Sequence, residues 1–324
     1  MFQNPVHNAN AADPTVVRGA DGTFHAFVTN AHSARDGVYR RTPMLTSRDL
    51  VHWTEGGDAL AVRPAWIAEG PDTVWAPHAV RASVDGRDEF RLYFSGRRAD
   101  TGSWGIGLAV ADRPEGPYRA DPEPIISGPT FEVIDPFVFT DADGRSYLYW
   151  GSAHKPIKGA ELGADGRTLL GEPREVLQPS EAFGGHARLV EAFWVTRKGD
   201  KYVGTFSGDN THNAHYSVMS AVSDSPLGPF TYQGDTPVVA STERFPGPGH
   251  SAIVTDDAGA DWLLYHAYDG ADRSKRVLML DKIDWEGTLP TLNSGNGPSA
   301  DPRPAPFIDA RRGAALPSAN TVPR

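Results

Sequence analysis

The sequence predicts an all-β protein folded as one five-bladed β-propeller, and two observations carry that expectation. The first is a three-part phrase: a short apolar strand, a turn often marked by Asp-Gly, and a second strand alternating aromatic and aliphatic residues. It occurs five times, beginning at Asp13, Ala76, Asp135, Glu191 and His250, at intervals of 63, 59, 56 and 59 residues. A period that steady marks a repeat architecture. The second observation is a shared closing phrase: TSRDLVHW ending at Trp53, ADRPEGPY at Tyr118, SDSPLGPF at Phe230 and DKIDW at Trp285. Each copy reads as a small antiparallel meander of three or four strands that cannot bury both faces alone, so the copies pack on one another.

Taken in order, the polar residues before Asp13, with Asn4-Pro5, form an entry segment that helps close the ring. Blade one is interrupted by a polar loop over 30–43, and its closing strand carries Met44 and Leu45 and ends at Trp53. A connection over 56–74 leads to blade two, which starts at Trp75 and continues through 90–95 and 106–110. Blade three begins at Ile134 with its third strand at 159–162, a Gly-containing loop over 180–187 delivers the chain to Glu191 in blade four, and the polar loop GDNTHNAHYS follows that blade's second strand. Residues 1–306 form the single domain; 293–306 are too rich in Gly, Pro and Ser for regular structure, and 307–324 read as a flexible tail or the start of a linker.

Composition narrows the function. With 31 basic against 41 acidic residues the net charge is −10, and no basic stripe exists to neutralise phosphates. Nucleic-acid and membrane-surface partners are therefore excluded, whereas a neutral glycan is not repelled. Cysteine is absent, which removes thiolate metal sites and cysteine nucleophiles. The opening MFQNPVHNAN lacks a basic segment followed by an apolar run, so the chain as written is cytoplasmic or has lost a leader.

In a propeller the inner strands run along the central channel and the loops at one end gather into one pocket. If the five repeat starts are equivalent, Asp13, Ala76, Asp135, Glu191 and His250 converge there, and three of them are carboxylic acids. Crowded carboxylates cannot all ionise freely, since like charges and burial raise the pKa of at least one. A neutral acid beside an ionised base is the pairing that glycoside hydrolysis requires.

The Asp-Pro at 13, Trp-Ala-Pro at 75–77, Asp-Pro at 135, Val-Glu-Ala at 190–192, SDSPLGPF at 223–230, GPGHSAIV at 247–254 and GNGPS at 295–299 together resemble glycoside hydrolase family 43 over nearly the whole chain. The resemblance implies a five-bladed propeller that cleaves arabinans, arabinoxylans or xylo-oligosaccharides with inversion. It implies Asp13 as the general base, Asp135 as the residue that tunes and orients the acid, and Glu191 as the general acid. An inverting pair needs about 6.5–9.5 Å between its carboxyls to admit water. The expected activity is an exo-acting α-L-arabinofuranosidase or arabinanase on a plant cell-wall polysaccharide or oligosaccharide, carried by a monomer. The rivals are a β-D-xylosidase of the same fold and a non-catalytic glycan-binding propeller.

Other residues follow from the same resemblance or from their place beside the catalytic column. Relatives place a His at the position of His250 beside a hydrated central cation, commonly calcium. A structural calcium in the channel is one reading of His250; a hydrogen-bonded core histidine is the other, and the chemistry itself needs no cofactor. Arg276 resembles the arginine that reaches the acid in relatives, or is an ordinary surface residue. Trp75, Phe193, Trp104 and His32 are candidates for stacking on sugar rings, with Phe24 better read as core, and His78 stands on the pocket wall where relatives often carry Asp. His266 reads as packed within its strand.

Overall fold

The computed structural model of the chain describes residues 1–29, 38–84 and 86–309. Five antiparallel sheets form there. Blade one holds β1 (Ala12–Arg18), β2 (Phe24–Thr29), β3 (Pro43–Ser47) and β4 (Thr54–Asp58). Blade two holds β5 (Val74–Val84), β6 (Arg87–Arg97), β7 (Trp104–Ala111) and β8 (Arg119–Ala120), with β9 (Ile126–Gly128) also on β7. Blade three holds β10 (Phe137–Thr140), β11 (Ser146–Trp150), β12 (Ile157–Leu162) and β13 (Leu169–Leu177). Blade four holds β14 (Val190–Lys198), β15 (Lys201–Gly208), β16 (Ser217–Ser223) and β17 (Thr231–Tyr232). Blade five holds β18 (Gly249–Thr255), β19 (Asp261–Asp269), β20 (Asp272–Glu286) and β21 (Leu289–Leu292). The inner strands β1, β5, β10, β14 and β18 touch one another in that order, and β18 closes on β1. This is a five-bladed propeller, and no helix among the described residues is long and apolar enough to cross a membrane.

The core is divided into wedges between neighbouring blades. Phe27, Leu92 and Phe94 fill the wedge between blades one and two; Leu108, Val138 and Leu148 fill the next. Tyr149, Phe193 and Phe206 lie between blades three and four. Val218, Leu263 and Tyr265 follow, and Phe24, Leu264 and Leu280 seal blade five against blade one. A sheet covered on both faces has no solvent side, which is why all six residues of β2 are buried and its sequence shows no polar alternation. Each deletion of a large side chain in these wedges removes transfer energy and leaves a cavity.

The closing phrase of blade one is a turn and not the end of a strand. Leu50 takes a left-handed φ of 66°. Asp49 Oδ1 accepts the backbone N–H of Val51 at 3.0 Å and of His52 at 2.8 Å, and a separate fourth strand then begins at Thr54. At the other end, Phe2 and His7 bridge to Arg303 and Leu278, and the Asn4 amide donates to Leu280 O, Asp281 Oδ2 and Ser299 Oγ. The C-terminal segment is also tied down further than its composition implies. The N–H groups of Phe307 and Asp309 donate to Asp256 Oδ2 and Asp257 Oδ2 at 3.0 and 2.8 Å.

One feature recurs in, or just before, every inner strand. Asp13, Ala76, Asp135, Ala192 and His250 have φ values of 52°, 44°, 57°, 53° and 43°, the left-handed region that side chains other than glycine rarely enter. Such residues cost about 1–3 kcal/mol each and persist only where surroundings dictate them. In blades one, two, four and five they coincide with a break in strand register. The equivalent residue of blade four is therefore Ala192, and Glu191 stands one place before the column in which the sequence set it.

The surroundings that dictate this geometry are side chains from the second strand of the preceding blade. Thr29 Oγ1 accepts the N–H of Ala76 at 2.6 Å, Ser95 Oγ that of Asp135 at 2.9 Å and Ser207 Oγ that of His250 at 2.7 Å. His266 Nδ1 accepts that of Asp13 at 3.1 Å. In blade three the corresponding residue, whose N–H bonds Ile134 O, is Gly151, which has no side chain to offer. There the N–H of Ala192 turns to Asp135 Oδ2 at 3.2 Å. A buried donor without a partner costs about 1–3 kcal/mol. Ser95→Ala should therefore lower unfolding free energy in urea by about that amount; an unchanged denaturation midpoint would contradict the latch.

Candidate active site

The backbone reversal at each left-handed residue aims the neighbouring side chains into the mouth of the channel. A cavity of about 290 Å³ opens there, and Asp13, Trp75, Asp135, Glu191, His250 and Arg276 line it. Residues up to 263 positions apart in the chain are thus in contact, as Arg276 Nη1 donates to Asp13 Oδ1 at 3.1 Å. Thr29, Asp72, Ile134, Thr211, His212 and Tyr268 complete the wall.

Each carboxylate has a distinct setting. Asp13 faces Arg276, His250 Nδ1 at 3.5 Å and His266 Nδ1 at 3.3 Å. Burial alone would raise its pKa, but the Arg276 guanidinium, helped by the two imidazoles and the Thr29 hydroxyl, holds it well below the usual carboxylate range. Glu191 accepts Ser152 Oγ–H at 2.8 Å on one oxygen and Tyr216 O–H at 2.9 Å on the other. Among the described residues the Asp135 carboxylate accepts only the Ala192 N–H.

Burial is the first cause that pushes both Asp135 and Glu191 upward. For Asp135 the charge of Glu191 comes next, and then that of Asp13. For Glu191 the two hydroxyls pull the other way and Asp13 adds a smaller push. Burial and like charge thus favour a proton held between Asp135 and Glu191, because one guanidinium cannot balance three buried carboxylates.

The remaining expected residues sort clearly. Trp75 lies on the cavity wall, with Trp104 tilted against it at 4.2 Å between ring centroids and Phe131 stacked at 5.9 Å. Trp104 itself is buried, so it backs the Trp75 ring. Phe193 does not reach the sugar-sized cavity. It is 1% exposed and packs on Phe230, Tyr149 and Phe206, because the left-handed Ala192 resets the strand's two-residue alternation and turns the ring outward into the wedge. Phe24 is likewise core. His32 lies outside the described residues.

His78 is not on the cavity wall either. It sits deeper in the channel against Phe137 and Trp194, with Nε2–H donating to Val138 O at 3.2 Å, and burial pushes its pKa down to about 3. His266 is fully buried as its strand implies, yet its lone pair holds Asp13 in place. Arg276 is a site residue whose partner is Asp13, where the resemblance pointed to the acid.

The donor set around His250 does not match calcium. The channel beneath it has room for about 10 Å³, on the order of one water, and a calcium ion takes about 6–8 oxygens. No three His, Asp or Glu side chains are grouped to hold a metal among the described residues.

Ser152, Tyr216 and Thr29 were not anticipated. Thr29 had a signal, since a hydroxyl or imidazole lies at or within three residues of the end of the second strand in four repeats. Tyr216 had none, because the connection between second and third strands that carries it differs in length and sequence from blade to blade.

Comparison with known proteins finds relatives of the same fold. The model for glycosyl hydrolases family 43 matches residues 2–289. A beta-D-galactofuranosidase of Aspergillus niger is 29% identical over 256 residues, spanning 74% of this chain and 69% of that protein. A xylosidase/arabinosidase of Humicola insolens is 34% identical over 254 residues, spanning 66% and 71%. The crystal structure of a thermostable family-43 glycoside hydrolase superposes with a TM-score of 0.82 at 23% identity, covering 95% of this chain and 100% of its own.

The shared proton is open to direct test. Infrared titration at neutral pH should show a protonated buried carboxyl that disappears in the double variant Asp135→Asn, Glu191→Gln. A spectrum with only ionised carboxylates at pH 7 would contradict the electrostatics described above.

Proposed function

The chain belongs to glycosyl hydrolases family 43, and on that footing we propose that it removes terminal α-L-arabinofuranosyl units from arabinose-containing plant cell-wall glycans with inversion at the anomeric carbon. The observation that carries this reading is the pairing inside one small cavity of an ionised, arginine-bound Asp13 with a proton-holding Asp135 and Glu191 pair. Asp13 accepts a proton from the attacking water as the carbon–oxygen bond to the sugar forms. Glu191 gives its proton to the departing glycosidic oxygen as that bond breaks. Asp135 shares the proton of the pair with Glu191, and the Ala192 N–H fixes its orientation.

Arg276 guarantees that Asp13 is ionised and at the same time weakens it as a base. A sugar hydroxyl that accepts a hydrogen bond from the guanidinium would loosen that hold when substrate binds. Trp75 offers a ring face to the sugar, backed by Trp104. A cavity of about 290 Å³ suits a single sugar unit at the reacting position, which supports exo action. The preference for a furanoside draws on the galactofuranosidase relative, since α-L-arabinofuranose and β-D-galactofuranose share a five-membered ring and differ mainly in the exocyclic group. A β-D-xylosidase is the second reading, supported by the double name of the Humicola insolens relative. Comparing aryl α-L-arabinofuranoside with aryl β-D-xyloside decides between them: a higher kcat/KM on the arabinofuranoside is expected, and a strong excess on the xyloside would reverse the assignment.

The roles separate kinetically. Glu191→Ala should lower kcat/KM on an oligosaccharide by at least ~10²-fold, but far less on a dinitrophenyl glycoside, whose leaving group needs no proton. Asp13→Ala should cost at least ~10²-fold on both, because water must be activated in either case. Equal losses for Glu191→Ala on the two substrates would remove it as the acid.

The pH profile follows from the same charges. The depressed Asp13 places the acid limb below the ordinary carboxylate range. The raised pair means that kcat/KM falls as pH rises through its pKa and the proton is lost. Asp135→Asn removes the like charge and should move that alkaline limb to lower pH; an unmoved limb would assign Asp135 no part in holding the proton.

A further inference from the structure

A cavity of about 470 Å³ opens between blades one and two, on the face of the propeller opposite the catalytic mouth. Strand β2 runs from that face to the mouth: His25, its second residue, lines the far cavity, and Thr29, its last, lines the catalytic one. Four residues of strand at about 3.3 Å each set the two about 13 Å apart, and they have no lining residue in common. Three segments build the far cavity: the β1–β2 turn with Asp21, the start of β6 with Asp88, and the β7–β8 turn with Asp112, Arg113 and Glu115. The two turns are fitted to each other, since a Cβ on Gly19 would meet Pro114 Cγ at 3.3 Å.

Its walls are rich in acceptors. Four carboxylates line it against the guanidinium of Arg113. Two of them are occupied: Asp21 accepts the Thr23 N–H at 3.0 Å and O–H at 2.6 Å, and Asp88 takes both its bonds from Arg81 at 2.8 and 2.7 Å. The other two are not, because Asp112 and Glu115 lie 3.9 and 3.6 Å from Arg119 and Arg113, outside hydrogen-bonding length. A second and independent feature is His25. It is 6% exposed, and among the described residues its buried Nδ1 has no hydrogen-bond partner. Buried polar atoms are seldom left in that state. Burial favours the neutral ring, against the pull of Glu115 and Asp21, so one nitrogen keeps a lone pair that can accept.

We propose that this cavity is a second binding site, separate from the catalytic one, for an organic cation that carries N–H donors: a primary amine or guanidinium that gives hydrogen bonds to His25 Nδ1 and to the Asp112 and Glu115 carboxylates. A wall of acceptors with excess negative charge is complemented by a donor-rich cation, and hydrogen bonds between such partners are the strong ones. The volume lies within the range of small-molecule sites, about 300–1,000 Å³, and far exceeds a bare ion. A metal is also disfavoured because no three of these side chains are grouped to hold one among the described residues. Phe90 and Pro114 give the carbon chain of an amine an apolar surface. The same chemistry is offered by a free diamine and by a lysine or arginine side chain on a protein segment.

Calorimetric titration of the full chain with agmatine, and separately with N-acetyl-lysine amide, tests the site; whichever binds more tightly names the source of the cation. One equivalent should bind, and the double variant Asp112→Asn, Glu115→Gln, altered only at exposed positions, should bind at least about tenfold more weakly, the worth of one charge-assisted hydrogen bond. Tetramethylammonium, which has the charge without the donors, and neutral arabinotriose should bind at least about tenfold more weakly than agmatine. Nitrogen-15 NMR of the wild type should show the His25 Nδ1 resonance shift as agmatine is added, a readout that needs no substitution in the buried strand. No binding of either amine would overturn the site. So would an unmoved His25 resonance, an unchanged affinity in the double variant, or equal binding of tetramethylammonium, which is what diffuse attraction to a chain of net charge −10 would give. Competitive inhibition of glycoside hydrolysis by agmatine would instead put the cation among the catalytic carboxylates and overturn it as well.

Discussion

Three buried carboxylates facing one guanidinium is the constraint on which the site depends. Ionising all of them in so small a volume is unfavourable, and protonating all of them would leave Arg276 without a counter-charge. The protein resolves this by dividing the environment. Arg276 lies against Asp13 and keeps it ionised, burial favours the neutral form of His250 and His266 beside it, and Asp135 and Glu191 share what remains. An acid and a base side by side at neutral pH follow from placement alone, with no unusual residue required.

Placement in turn depends on backbone that few sequences adopt. Five residues with left-handed φ, one per blade, bend the inner strands so that carboxylates from blades one, three and four meet. The cost is carried by the inter-blade wedges and by the hydroxyls and imidazole that latch each bend to the preceding blade. Blade three breaks the pattern: Gly151 leaves the Ala192 N–H to the Asp135 carboxylate. A structural latch and an electrostatic element of the site thus coincide in one hydrogen bond, which ties the orientation of Asp135 to the strand that carries Glu191.

Much of this was legible in the chain. The repeat spacing is enough for the propeller, since each meander needs neighbours to bury its faces, and it aligned Asp13, Asp135 and His250 correctly. Glu191 fell one place off because the repeat was matched on chemical type, whereas the structural equivalence runs through the backbone angle of Ala192. Phe193 and His78 went wrong for the same reason. Alternation along a strand predicts which face a side chain takes only until a left-handed residue resets it, and both follow such a residue closely. Ser152 and Tyr216 left no periodic trace, as their roles arise from tertiary approach. The fourth strand of blade one was hidden behind a turn whose Asp49 caps were read as part of a closing strand.

The stereochemistry of the first-formed product tests the account most directly. Proton NMR of the sugar released in the earliest turnovers, before the anomers equilibrate, should show the configuration opposite to that of the substrate, as attack by an Asp13-activated water requires. Release with the original configuration would mean that a carboxylate and not water attacks the anomeric carbon, and would contradict the division of labour assigned to the three acids.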